Sequence, residues 1–345
     1  MTAPAAPTPY KAIALQVRCD AVNRCATRAD SQPLIDATIK RIDDFIGGAI
    51  GFYGRDVKLV VLPEYFLTGF PMGEDATTWI AKACIHIPGP EIARVTEIAA
   101  RRGVWISGNG YEADETWPGR YFQASWLVGP KGLALKYRRL NSLFSPSPHD
   151  FWTEYRNRYS MRDVFPVADT PLGRLAAIAS EEILFPEVAR CLLMHGAEVF
   201  LHSTADVAGH ARMPKEVCKL ARAVENVAYV VSANAAGITG IPIPESSTDG
   251  KSKIVDYRGL VLAEVDQGES AGAVADIDIA ALRHARRQPG MPNLVTRQRF
   301  DLYAAMYGGT TFVPADQFPS PMSERGALLA AQSRVAEALR SRGLI

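Results

Sequence analysis

The sequence predicts an α/β fold in which two β-sheets stack on one another and helices cover both outer faces. Three observations carry that expectation. Short apolar strands recur from Tyr10 to Ile277, helical spacing of apolar residues appears between many of them, and no internal repeat or linker divides the run. At 345 residues the chain can bury one large core.

Residues 1–9, MTAPAAPTP, are rich in Pro and Ala, lack periodicity and read as a disordered lead. KAIALQVRC, after Tyr10, reads as a buried strand. Residues 33–52 carry Leu34, Ile35, Ile39, Ile42 and Ile46 at helical spacing, and 57–62 form a strand. Helices are expected at 74–83 and 90–102, the second opening on a proline suited to a first turn. Residues 104–111, 123–129 and 133–138 are β-branched or aromatic and punctuated by Gly and Pro, as neighbouring strands are. A polar, aromatic insertion spans 141–162. Strands at 174–179, 198–202 and 228–233 then alternate with helices at 186–195 and 214–227. A hairpin at 253–265 turns at Arg258-Gly259, and 273–277 is a last strand. Residues 10–299 thus read as one domain and 300–345 as an extension. The extension ends in an Ala-rich amphipathic helix at 322–344, which either packs on its own subunit or grips a second one.

Composition narrows the partners. A net charge of +1 gives no field for nucleic acid or an anionic membrane, so a small-molecule substrate is expected. Five widely spaced cysteines form no C-x-x-C or Cys/His pattern and read as reduced thiols, with no metal. No signal-peptide pattern and no apolar run of ~18 residues is present, which predicts a cytoplasmic protein. Gly250-Lys251-Ser252 lacks the upstream glycine of a phosphate-binding loop. The G-x-G-x-x-A run from Gly108 is followed by loop chemistry where a dinucleotide site needs a helix.

Three side chains stand at predicted strand ends: Glu64 after VVLP, Lys136 at the end of LALK and Ser180 after LAAIA. Taken singly, each reads as a surface charge or a helix cap. Together they suit acyl transfer from nitrogen. A glutamate against an apolar wall can serve as general base and then acid. A lysine and the backbone N–H of Glu181 can hold the oxyanion of a tetrahedral intermediate, and no cofactor is needed. Tyr65, His202 and Thr204 follow or end the strands that supply the trio and are expected around the substrate. His202 reads first as a structural histidine and second as a site residue.

The contexts of the trio resemble the nitrilase superfamily of carbon–nitrogen hydrolases. LPEYFLTGF resembles its glutamate motif, KYRRL its lysine motif and IASEEILFPE its nucleophile motif; RAVENVAYVV and the hairpin resemble its C-terminal half. The likeness runs from Tyr10 to Arg287 in order. It implies a four-layer αββα sandwich, a homodimer or larger homo-oligomer, and hydrolysis of a non-peptide carbon–nitrogen bond in an amide, carbamoyl group or nitrile. Glu64 would be the general base, Lys136 the oxyanion stabiliser and Ser180 the occupant of the nucleophile position. A second glutamate that orients the site would be Glu154, in HDFWTEYRN.

The family has cysteine where this chain has Ser180. Cys191 lies about a turn and a half into the next helix and is expected in the core. A thiol ionises beside a base, whereas a serine hydroxyl must lose its proton during attack. Three readings stay open: an engineered Cys-to-Ser change, an inactive relative that binds a small molecule or partner protein, and a hydrolase that uses serine. Phe144, Phe151, Trp152 and Tyr155 in the insertion favour a partly apolar or aromatic substrate, and could equally serve a subunit interface.

Overall fold

The computed structural model describes residues 7–206, 214–321 and 325–345. Two six-stranded sheets form its centre. The first runs in the order Ser270–Ile277, Tyr10–Gln16, Val57–Val61, Trp105–Ala113, Tyr121–Gly129, Gly132–Arg138. The second runs Val261–Glu264, Lys253–Val255, Tyr229–Asn234, Val199–Thr204, Gly173–Ala179, Ala168–Thr170. In each sheet three adjacent strands are parallel and the flanking ones antiparallel. The carboxyl ends of a parallel group lie on one edge, the usual place for a ligand site in an open α/β sheet.

Strand alternation sorts the layers. Ala12 and Ala14, in register with Leu59 and Val61, enter the core shared with the second sheet. Ile13, Leu15 and Val60 point the other way, into a core completed by Ile35, Ile39 and Ile42 of the Arg28–Tyr53 helix and by Ile92, Val95 and Ile98 of Pro90–Arg102. On the outer face of the second sheet, Pro186–Met194 supplies Val188 and Leu192, Pro214–Asn226 supplies Ala223, and Ile279–Arg287 supplies Leu282. The result is the expected helix–sheet–sheet–helix sandwich. At the carboxyl ends the sheets are cross-tied: the Ser203 hydroxyl donates to the Leu62 carbonyl at 2.7 Å, and the Glu64 N–H to the Thr204 carbonyl at 3.2 Å.

Several boundaries differ from the sequence expectation. The first helix starts at Arg28, before Pro33, because Thr27 and Asp30 form a reciprocal capping box. The insertion is partly helical, with a 3-10 turn at Pro148–Phe151 and short helices at Trp152–Arg158 and Met161–Val164. Gly108 lies within a strand, where a Cβ would meet the Trp126 indole at 2.4 Å. Ile279–Arg287 and Phe300–Gly308 are helices that the periodicity did not reveal; the first buries only Ile279 and Leu282. Of the predicted lead, residues 1–6 lie outside the described residues, and 7–9 form no regular element. The last helix is described over Arg325–Ser341, where Ala331 is buried; residues 322–324 lie outside. Among the described residues no helix is long and apolar enough to cross a membrane.

Leu59 has no exposed surface and sits between the sheets. Leu59→Ala is expected to cost about 2–5 kcal/mol of stability with the fold retained. Urea unfolding, with circular dichroism at both ends of the transition, measures both.

Candidate active site

Three strand ends aim side chains into one cavity. Glu64 follows Val57–Val61, Ser180 directly follows Gly173–Ala179, and Arg139 directly follows Gly132–Arg138. All three line a cavity of about 280 Å³ with Glu181 and Lys215. Tyr65, Tyr111, Tyr121, Phe70 and Phe144 supply aromatic walls, and Leu328 reaches in from the last helix.

Glu64 is buried, and its Oε1 accepts a hydrogen bond from the Gln123 side-chain amide. The Gln123 carbonyl accepts from Arg139 Nη1, which also stands 3.5 Å from Glu64 Oε1. One amide thus sets the spacing of the carboxylate and the guanidinium. The Ser180 hydroxyl stands near the Glu64 carboxylate and favours its charged form. Burial raises the Glu64 pKa above the ordinary glutamate value, opposed by the positive charges of Lys215 and Arg139.

Ser180 is held in the left-handed region, at φ 49°. A non-glycine residue there costs about 1–3 kcal/mol and persists only where its surroundings enforce it. Here the enforcement is visible. The Ser180 carbonyl accepts from His202 Nε2 at 2.9 Å, and His202 Nδ1 lies 2.8 Å from the Ser232 hydroxyl. A carbonyl only accepts, so the imidazole carries its proton on Nε2 and accepts from Ser232 at Nδ1. Burial first, then the Lys219 ammonium, pushes the His202 pKa down to about 3.

Glu182 sits on the opposite face of the turn from the cavity. It accepts from the backbone N–H groups of Leu140 and Asn141 at 2.8 and 2.9 Å and from the Tyr137 hydroxyl at 2.7 Å. Those bonds fix the chain just beyond Arg139. The Glu181 carboxylate pairs with Arg139 and accepts from the Leu143 N–H at 3.0 Å. Among the described residues, no group of three or more His, Cys, Asp or Glu is placed to hold a metal ion.

Residues 25–287 match the family model described as carbon-nitrogen hydrolase. The chain belongs to that family. It is 28% identical over 241 residues to an (R)-stereoselective amidase from Pseudomonas sp., covering 69% of this chain and 80% of that one. It is 26% identical over 255 residues to omega-amidase NIT2 of Homo sapiens, covering 72% and 86%. Among solved structures, a carbon–nitrogen hydrolase from Helicobacter pylori superposes with a TM-score of 0.66 at 18% identity, covering 88% of this chain and all of that one.

Within this carbon–nitrogen hydrolase-family chain, the structure departs from the sequence assignment at several residues. Lys136 does not reach the cavity. Its Nζ donates to Glu112 at 2.6 Å and to the Ile87 carbonyl at 2.9 Å, because alternation puts Lys136 and Arg138 on the face opposite Tyr137 and Arg139. Glu154 is exposed on the Trp152–Arg158 helix, away from the cavity. His202 and Thr204 are buried behind the cavity wall rather than lining it; Tyr65 and Glu181 do line it. Phe144 lines the cavity, but Phe151 and Tyr155 pack with Trp117 and Phe122 in a separate small core against which Trp152 rests. Cys191 is half-buried on its helix, and no cysteine lines the cavity.

Arg139, Lys215 and the Glu181 carboxylate were missed. Arg139 was detectable: Tyr137 is the apolar side chain of the KYRRL strand end and must face the inter-sheet core, which puts Arg139 on its side. Lys215 begins a helix after residues 207–213, which lie outside the described set, and no local pattern marked it.

His202 is held neutral when folded, whereas in the unfolded chain it takes a proton below about pH 6.5. Its contribution is therefore fully present above pH 6.5 and is lost as pH falls toward 3. Denaturant titrations at pH 7.5 and 5 should show a smaller acid-induced loss of stability in His202→Gln than in the parent.

Proposed function

We propose that this chain hydrolyses a non-peptide carbon–nitrogen bond, in an amide, carbamoyl group or nitrile of a small molecule, through acylation of Ser180. The carrying observation is that Ser180, Glu64 and Arg139 converge on one cavity, with Arg139 Nη1 3.5 Å from Glu64 Oε1. For an amide, Glu64 takes the hydroxyl proton as Ser180 Oγ bonds to the carbonyl carbon, and the carbonyl π pair moves onto oxygen. Arg139 takes the oxyanion-stabilising part expected of a lysine, with the Glu181 N–H as a second donor. Collapse breaks the C–N bond, and Glu64 returns the proton to the departing amine. Water then attacks the ester, again losing a proton to Glu64, and releases the acid and free Ser180. The Glu181 carboxylate supports Arg139 in the way assigned from sequence to Glu154. The amidase relative and the aromatic walls favour an amide carrying a flat apolar group.

A binding protein without activity is the second reading, and one observation favours it: Glu181 already occupies the Arg139 guanidinium. A panel of amides, carbamoyl compounds, nitriles and esters, run on the parent, Ser180→Ala and Ser180→Cys, separates the two. Turnover by the parent that Ser180→Ala abolishes supports the hydrolase. Inertness of the parent and of Ser180→Cys, alongside tight ligand binding, supports the binder.

On an accepted substrate, Arg139→Met should lower kcat by about 10²–10³-fold. Lys136→Met should leave kcat within about threefold, since its partner Glu112 lies outside the cavity. Because burial raises Glu64, kcat/KM should fall on acidification along a limb centred above ~4.3, the unperturbed glutamate pKa. A profile from pH 4 to 9 locates the limb, and a midpoint at or below that value would exclude burial as the tuning force.

A further inference from the structure

Lys215 is the side chain that the reaction scheme above leaves unused. Its Nζ lies 3.1 Å from Ser180 Oγ and 3.1 Å from Thr204 Oγ1, and it forms an ion pair with Asp206. The bonds around it are those of a donor. The Thr204 hydroxyl donates to Asp206 Oδ1 at 2.7 Å, so toward Lys215 it can only accept. With the Ser180 hydroxyl proton directed to Glu64, as the acylation scheme requires, Ser180 Oγ likewise accepts from Lys215 Nζ. Asp206 is 4% exposed, takes the Asn234 side-chain carbonyl on its own N–H at 2.8 Å, and accepts as a carboxylate. Three acceptors surround one nitrogen, which matches the three N–H bonds of an ammonium and leaves no lone pair for use as a base. The charged groups facing it are Asp206 beside it and Glu64 and Lys219 further off, so the positive charge is held by a buried counter-ion.

We propose that Lys215 is a catalytic residue that makes serine workable at this position: its ammonium donates to Ser180 Oγ while Glu64 removes the proton from the other side. The inference rests on the serine-acylation reading given above. In the attacking step the O–H pair stays on Oγ, the proton passes to Glu64, and the Lys215 hydrogen bond shortens onto the alkoxide character that develops there. The Lys215 proton itself is not transferred. A thiol depends on this donor less, because its pKa near ~8.5 lies within reach of a base whereas a serine hydroxyl's does not. A serine hydroxyl depends on it. The site thus carries two cations with separate tasks: Arg139 for the substrate oxygen and Lys215 for the nucleophile.

The test uses an alkyl fluorophosphonate, which phosphonylates the hydroxyl with loss of fluoride and needs no amide turnover. Ser180 Oγ bonds to phosphorus, the P–F bond breaks, fluoride leaves, and the hydroxyl proton goes to Glu64. Intact mass spectrometry follows the adduct on the full chain. Labelling of the parent that Ser180→Ala abolishes, and that Lys215→Met slows by about 100-fold or more, is the expected result. Since Lys215→Met strands the Asp206 charge, the paired variant K215M/D206N removes both charges together and should be slowed as much, with a cooperative unfolding transition. In a Ser180→Cys background at a pH of about 9.5, where a thiol of pKa near ~8.5 is largely ionised, Lys215→Met should slow iodoacetamide alkylation of the new thiol by less than about fivefold. Equal labelling of the parent and both Lys215 variants, an equal loss in the serine and cysteine backgrounds, or no labelling of the parent overturns the proposal. Labelling that follows this pattern without hydrolysis of any amide would leave Lys215 in its role and remove the amidase reading instead.

Discussion

The arrangement depends on the cross-ties between the carboxyl ends of the two sheets. Ser203 bonds to the Leu62 carbonyl, and the Glu64 N–H to the Thr204 carbonyl, so the two parallel strand groups end at a fixed separation. Glu64 comes from one sheet and Ser180 from the other, and without those two bonds the distance between carboxylate and hydroxyl would follow the looser packing of side chains. Small residues in the gap, Ala12, Ala14, Ala177 and Ala179 among them, let the backbones approach closely enough for the ties to form. The chemistry at the rim is set by how thin the sandwich is beneath it.

A second level of control lies in the turn at Ser180. Its left-handed backbone is braced from behind by His202 and on its far side by Glu182, and neither side chain lines the cavity. Both are buried polar groups whose partners are all satisfied, the condition under which such groups rigidify a site. Glu182 also fixes the backbone after Arg139, so one carboxylate positions both the nucleophile turn and the cation that faces it.

Most of the fold was legible because it rests on periodicity: the strands that carry Glu64, Ser180 and Arg139 were found close to their observed ends, and the layer order follows from alternation. The site was legible where a residue's identity is tied to its position after a strand, as at Glu64 and Ser180. It failed at KYRRL, where three cations fall within four residues and only the strand's two-residue period separates the one facing the cavity from those that neutralise Glu112. It failed at Glu154 because helix formation in the insertion turned that carboxylate to solvent, while Glu181, read only for its backbone, supplied the pairing. Lys215 lies in the first turn of the Pro214–Asn226 helix and meets Ser180, 35 residues earlier, only in the folded chain, a proximity that leaves no trace in local sequence.

Leu328 enters the cavity from the helix described over Arg325–Ser341, beyond the segment 25–287 shared with the family. The charged rim of the cavity and part of its apolar wall therefore have separate sequence origins. Comparison confined to the common domain sees the rim and is blind to that part of the wall. Two relatives with matching rims and different tails would present differently shaped cavities.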